Sequence, residues 1–484
     1  MEEEMDQHNK NVAGGIFWSI FERIGSQGIS LIVSIVLARI LLPDAYGVIA
    51  AVSVFTGLAS VFASGGFGSA LVQKKDADDK DFATMFTFNT VFSLAIYFII
   101  FVTAPWLVRI FNSSYDYDLL TLVLRVLGLG IVLESYNSFH RSLMTKNMKF
   151  RKIFILSLVG TIISGIVGIA MAYLGFGVWA MVTQTLVSAA ANTILFSVFL
   201  EWKPHFYFSF KRFRPLFSFG FKMMLSSLFI SIYADITSIV IGNKYDSNSL
   251  AYYKKGVNFP KLIVLNIISA INTSLFPVMA KINDPDEMKA LVRRFNRVSA
   301  FIITPMMFGF AAVASTFVEV VLTEKWMPCV IFLQISCLNY AVQPIAMSSL
   351  QYLKASGRAT TYLVLDVIRK GIAICLLIAA VFADKGVWLL AVSECVANVL
   401  AIIVNMYPGK KYIGYGIREQ IADVLPKFAL SAIMFAIVYA IGFLPLTGLV
   451  LLPLQIIAGG LVYFLLAKLL KLQEINEILK IIKR

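Results

Sequence analysis

GGIFWSIFERIGSQGISLIVSIVLARILLPDAYG, residues 14–47, decides the fold class. From Gly15 to Leu41 the stretch is apolar apart from a few polar positions. Its roughly 27 residues, at about 1.5 Å each, more than cross a hydrocarbon core of about 30 Å. It therefore reads as a membrane helix. Ser19, Arg23, Ser26, Gln27, Ser30 and Ser34 follow the spacing of one helical face, so a polar stripe runs along a helix whose other sides suit lipid. Ionisable groups at membrane depth are costly and face a bundle interior, a cavity or an ionic partner, which makes Arg23 a candidate for either role. Serine and glycine also permit close helix packing.

The rest of the chain repeats this theme. Of 484 residues, 59% are hydrophobic and 14% are charged, far from soluble-domain averages. Apolar runs recur from end to end, with starts near Gly15, Gly47, Phe82, Leu119, Ile153, Phe176, Leu216, Gly256, Val298, Cys329, Thr361, Gly386, Phe428 and Leu449. The reading is an all-α polytopic membrane protein of about 14 transmembrane helices. The acidic start, Met1 to Lys10, lacks the order of a signal peptide, so the first helix is expected to be retained.

The net charge of +14 does not point to nucleic acid, because the basic residues fall in alternate loops. With the N-terminus in the cytoplasm, roughly 29 Lys and Arg lie in cytoplasmic segments against about 6 outside. Both termini are therefore expected in the cytoplasm. The links His140 to Lys152 and Glu201 to Pro215 and the stretch Lys281 to Arg297 are basic, and the last two and the tail after Lys468 suit a lipid headgroup layer. Outside loops are short and the chain has three His, His8, His140 and His205. That argues against a membrane glycan polymerase or ligase, which needs extramembrane acid–base chemistry. Cys329, Cys337, Cys375 and Cys395 lie in or beside apolar runs and read as small core residues, not metal or disulfide ligands.

Gly177, Val178 and Trp179 recur as Gly386, Val387 and Trp388, an offset of about 209 residues. This suggests two six-helix lobes in a parallel pseudo-two-fold repeat flanking a cavity, as in alternating-access transporters. The expected divisions are an N-terminal lobe 1–200, an interfacial linker 201–215, a C-terminal lobe 216–407, and a peripheral pair of helices with a basic tail, 408–484.

Polar residues inside the spans mark candidate cavity positions. Ser26, Gln27 and Ser30 lie on the first span, Gln184 on the sixth, and Asn398 on the twelfth. Arg23, Arg125, Arg369 and Lys370 form a basic set suited to a phosphate or diphosphate, which arginine grips with a bidentate fork. Asp366 sits three and four residues before Arg369 and Lys370 and partly neutralises them. Asp235 and Glu394 are candidate acids for coupling to H⁺ or Na⁺, or else structural hydrogen-bond partners. No catalytic residue, metal site or organic cofactor is read.

LARILLPDAYGVIA at residues 37–50 and GGFGSALVQKKDADDKDFATMFTFN at 65–89 closely resemble the polysaccharide-transporter branch of the multidrug, oligosaccharidyl-lipid and polysaccharide exporter superfamily. FHRSLMTKNMKFRK at 139–152, GVWAMV at 177–182 and LAYYKKG at 250–256 are similar to the same group, nearest to Wzx-like exporters of the colanic-acid and teichuronic-acid type. The resemblance implies a flippase of the bacterial cytoplasmic membrane that moves undecaprenyl-diphosphate-linked oligosaccharide to the outer leaflet by rocking its lobes. Its implied partners are that lipid-linked substrate, membrane lipids and other glycan-assembly proteins. A cation-coupled multidrug exporter of the same superfamily is the alternative, and would present acidic and aromatic groups to its cargo where these spans lean basic.

Overall fold

A computed structural model describes residues 25–475, apart from positions 65, 75, 200, 201 and 283. The described residues are helical almost throughout, and ten helices are long and apolar enough to cross a membrane. Every other expected span that falls in the described residues is also helical, although outside that set of ten. The chain divides into two compact units, Met1–Ala251 and Tyr252–Arg484.

In the first unit, α1 (Gly25–Ile40) leads through Leu42 to α2 (Pro43–Ser64) and short α3 (Phe67–Gln73). There follow α4 (Asp79–Leu107), α5 (Tyr117–Lys146), α6 (Phe150–Tyr173), α7 (Val178–Phe199) and α8 (Phe210–Lys244). Lipid offers no hydrophobic drive between helices, so close packing needs small residues. Helix α6 supplies them at four-residue intervals, Gly160, Ser164 and Gly168, all buried. A methyl group at Gly160 would meet Asn192 at 2.5 Å, and one at Gly168 would meet Gln184 at 2.8 Å, so α7 lies directly on that stripe. Helix α4 begins with a capping box: Asp78 accepts from the Asp81 amide at 2.9 Å, and Asp81 accepts from the Asp78 amide at 3.2 Å.

Two loops are shorter than the basic runs suggest. Helix α5 continues to Lys146 and α6 restarts at Phe150, so most of the stretch from His140 to Lys152 is helical. Phe210 to Pro215 belongs to α8, which packs Phe213 on Phe88 with ring centroids 4.7 Å apart.

Within the second unit, from Tyr252 onward, the end of α9 (Ser247–Met279) is followed by α10 (Pro285–Ala312) and the single turn α11 (Ala314–Phe317). The run from Cys329 is two helices, α12 (Val330–Ala341) and α13 (Gln343–Ala355), parted at Val342 just ahead of Pro344. Then come α14 (Ala359–Ala383), α15 (Val387–Ile413), α16 (Ile417–Ile441) and α17 (Gly448–Leu469). Helix α16 runs along α10, sharing a buried hydroxyl contact of 3.1 Å between Thr304 and Ser431. Cys329 and Cys337 are buried, whereas Cys375 is exposed on α14 and lies outside the core. The repeated Gly-Val-Trp has one structural role in both places: a glycine at positive φ, Gly177 or Gly386, stands immediately before α7 or α15.

Candidate functional site

A hydroxyl-lined concavity of the first unit lies between α3 and α5. Ser138, Arg141, Ser142 and Thr145 occupy one face of α5 at i, i+3, i+4 and i+7. With Val72 and Gln73 of α3 they line a groove of about 380 Å³. The Arg141 guanidinium donates from Nη2 to Ser157 Oγ on α6 at 2.8 Å and lies 5.9 Å from the Phe196 ring. A serine hydroxyl and an aromatic face thus aim a planar cation, beside three hydroxyl side chains. Such a lining matches the polar surface of a sugar and the oxygens of a phosphoryl group.

Arg141 is absent from the basic set expected in the spans, because the charge run after His140 reads as a loop. The i, i+3, i+4, i+7 pattern of hydroxyls around it is the signal that finds it.

The expected set is placed as follows. Arg23 lies outside the described residues. Arg125 donates from Nε to the Phe101 carbonyl at 3.0 Å, with its guanidinium 4.6 Å from the Phe101 ring centroid. Arg369 pairs with Asp366, and Lys370 Nζ lies 2.9 Å from the same carboxylate. On α1, Ser26 and Gln27 are half-buried and Ser30 is exposed. Gln184 is half-buried against α6. In the second unit, Asn398 donates to Asn339 Oδ1 at 2.7 Å, and Glu394 accepts from the Tyr253 hydroxyl at 2.9 Å. Asp235 is half-buried on α8. Arg125, Arg369 and Lys370 are each engaged by a neighbour of their own.

At the start of α4, an ionic clamp fixes the segment leading into α8. Trp202 Nε1 donates to Asp79 Oδ1 at 2.6 Å, and Thr87 exchanges hydrogen bonds of 3.1 Å with the Tyr207 backbone. Arg212 Nη1 reaches Asp78 at 2.5 Å and Asp81 at 3.1 Å. Hydrogen bonding from Arg212, aided by the Asp81 amide, holds the Asp78 carboxyl down at about 2.

The stretch PDAYG, residues 43–47, has a packing reason of its own. Asp44 accepts from Ser247 Oγ, and a methyl group at Gly47 would stand 2.0 Å from the Ser247 carbonyl oxygen. Only glycine admits that approach of α2 to the start of α9.

A family model described as polysaccharide biosynthesis protein matches residues 36–331. The chain belongs to that family. Among the chain's relatives is the succinoglycan biosynthesis transport protein ExoT of Rhizobium meliloti (strain 1021), 25% identical over 350 residues, 72% of this chain and 70% of ExoT. The teichuronic acid biosynthesis protein TuaB of Bacillus subtilis (strain 168) is 22% identical over 425 residues, 85% of this chain and 86% of TuaB. Among solved structures, the lipid II flippase MurJ in an inward closed conformation superposes with a TM-score of 0.75 at 17% identity, over 94% of this chain and 98% of that one. An inward-facing multidrug resistance MATE transporter of the MOP superfamily gives 0.64 at 16% identity, over 81% and 94%. The family member thus shares the polytopic helical fold of both transporters. Since a flippase and a drug exporter have that fold alike, it does not choose between their cargoes.

Proposed function

We propose that the protein is a transporter, not an enzyme, that moves a lipid-linked saccharide across the membrane for polysaccharide biosynthesis. The observation that carries this reading is family membership on a fold shared with a lipid II flippase. The groove of Arg141, Ser138, Ser142 and Thr145 supports it on chemical grounds. A sugar entering hydrocarbon loses its hydrogen bonds to water at several kcal/mol per unpaired group, and hydroxyl side chains replace them. Transport then needs no covalent step.

The finer reading has the substrate carried as an undecaprenyl-diphosphate oligosaccharide from the cytoplasmic leaflet of a bacterial cytoplasmic membrane, with both chain termini in the cytoplasm. Its diphosphate is gripped by arginine, and the prenyl tail stays in lipid. Two six-helix halves alternate access, and Asp235 or Glu394 couples the return of the empty carrier to H⁺ or Na⁺. Support comes from the alternation of basic loops and from the shared glycine role before α7 and α15.

The test is translocation in proteoliposomes. A lipid-diphosphate oligosaccharide from the host is scored for access from the opposite leaflet, with wild type beside Arg23→Ala and Arg141→Gln. Transport by wild type and its loss in folded Arg141→Gln is the expected result. Failure of wild type with every host glycolipid, together with efflux of cationic dyes, replaces this reading with drug export.

A further inference from the structure

A second cavity, of about 290 Å³, opens at the same end of the first unit. It lies where α4 begins, α5 ends and α6 begins, and its walls include Asp79, Phe82, Lys146, Lys149, Lys152 and Trp202. Its volume is close to the lower end of the roughly 300–1,000 Å³ of small-ligand sites. Three lysines face one carboxylate there. That carboxylate is already engaged, since Asp79 accepts from Trp202 Nε1 at 2.6 Å and lies 3.3 Å from His205 Nε2.

Asp76 is exposed beside the lining residue Ala77, while two other acids of this end are engaged. Asp81 takes Lys74 at 2.5 Å, and Arg212 spans Asp78 and Asp81. Lys146, by contrast, is held by neutral groups: Nζ donates to the Lys74 carbonyl at 2.8 Å and lies 5.4 Å from the Phe82 ring. These fix the ammonium in place without cancelling its charge. The result is a cationic rim over an apolar floor of Phe82, Leu143 and Met144, bordered by an indole. An indole with its polar edge bonded and its face on apolar side chains suits the headgroup layer of a bilayer, where lysine clusters attract anionic lipid.

We propose that this cavity is a binding site for a phosphate-bearing anion, distinct from the groove assigned to transported saccharide. The source favoured by the apolar floor is the headgroup of an acidic phospholipid, whose acyl chains remain in the bilayer. A soluble diphosphate has the same recognisable chemistry and is the second source to be told apart.

The experiment uses the full chain purified in detergent and native mass spectrometry, with phosphatidylglycerol, phosphatidylcholine and inorganic diphosphate added in separate arms. Three proteins are compared: wild type, Lys149→Gln/Lys152→Gln, and Lys410→Gln/Lys411→Gln, which removes equal charge from the second unit. Lys152→Gln alone is the milder variant if the double change lowers the melting temperature. The expected result is retention of phosphatidylglycerol over phosphatidylcholine, cut about thirtyfold by the Lys149 and Lys152 changes and little by the control, in keeping with the attraction of two lysines near a surface. Diphosphate retained with the same lysine dependence, and no lipid preference, upholds the site and assigns its ligand to the soluble source. Equal losses in both double variants, or no retention of either anion, overturns the proposal. None of these outcomes depends on transport.

Discussion

Arg125 Nε donates a 3.0 Å hydrogen bond to the carbonyl oxygen of Phe101, which stands four residues before Pro105 on α4. In an unbroken helix the amide of residue 105 would fill that carbonyl, and proline has no N–H. Arg125 on α5 supplies the missing donor. At membrane depth a carbonyl left without a partner finds no water to replace it, so Arg125→Gln is expected to lower stability by about 1–3 kcal/mol. In a Pro105→Ala background the helix satisfies Phe101 itself, and the same change should cost less, with a coupling of about 1 kcal/mol in a thermal double-mutant cycle. Transport retained by the Pro105→Ala/Arg125→Gln protein would assign Arg125 to structure. Transport lost from that protein at wild-type stability would return Arg125 to the substrate.

Arg141 is expected to behave differently. Lysine keeps its charge but lacks the planar fork, so Arg141→Lys and Arg141→Gln should both reduce lipid-linked oligosaccharide transport, by about tenfold or more for Gln and less for Lys. Ser157→Ala removes the hydroxyl that orients the guanidinium and should give a smaller loss. Rates are read in proteoliposomes, with melting temperature as the control. A Ser157→Ala defect matched by equal loss of stability would assign the pair to helix packing.

How far these features were legible depends on their range in sequence. The pairing of Asp366 with Arg369 and Lys370 follows from i, i+3 and i+4 spacing alone, and the structure has those pairs. The Gly-Val-Trp repeat was equally readable, since a helix start is a local event. Arg125 reads as a deep cation because nothing local announces a carbonyl 24 residues upstream, freed by a proline on another helix. Arg141 was hidden for the opposite reason: a dense basic run looks like a loop, whereas the lysines sit at the helix end and the arginine one turn inside it. Docking of Trp202 on Asp79 joins positions 123 residues apart, beyond any periodicity.

Gly47 offers a test of a close backbone approach in the first unit. Its missing side chain lets α2 come so near the start of α9 that an added methyl would stand 2.0 Å from the Ser247 carbonyl oxygen and 2.8 Å from its Cα. The obstacle is backbone, so rotamer change gives no relief. Gly47→Ala is expected to destabilise the protein by about 1–3 kcal/mol, the range for overpacked interiors. Loss of melting temperature in detergent checks it, and an unchanged value would mean that the helices separate freely at this point. Ala45→Gly, two positions away, serves as the control.

Acid should act through Glu474, which is 1% exposed beyond the end of α17. Burial alone would push its carboxyl up. Arg297 Nε at 2.6 Å and Lys427 Nζ at 2.9 Å outweigh that effect and hold it below the usual glutamate range. A group whose folded pKa is depressed contributes its full stability above the unfolded value, about 4.3, and loses that contribution as pH falls through the folded one. Melting temperature should therefore be level near neutrality, begin to fall as pH drops below about 5, and keep falling towards the folded value, with Glu474→Gln lower at pH 7 and flatter across the acid range. Removing one partner of a fully buried ion pair costs about 3–5 kcal/mol, and Arg297 is 23% exposed, so Arg297→Ala is expected to cost nearer about 2 kcal/mol. A Glu474→Gln protein with the wild-type acid profile would show that other groups govern acid sensitivity instead.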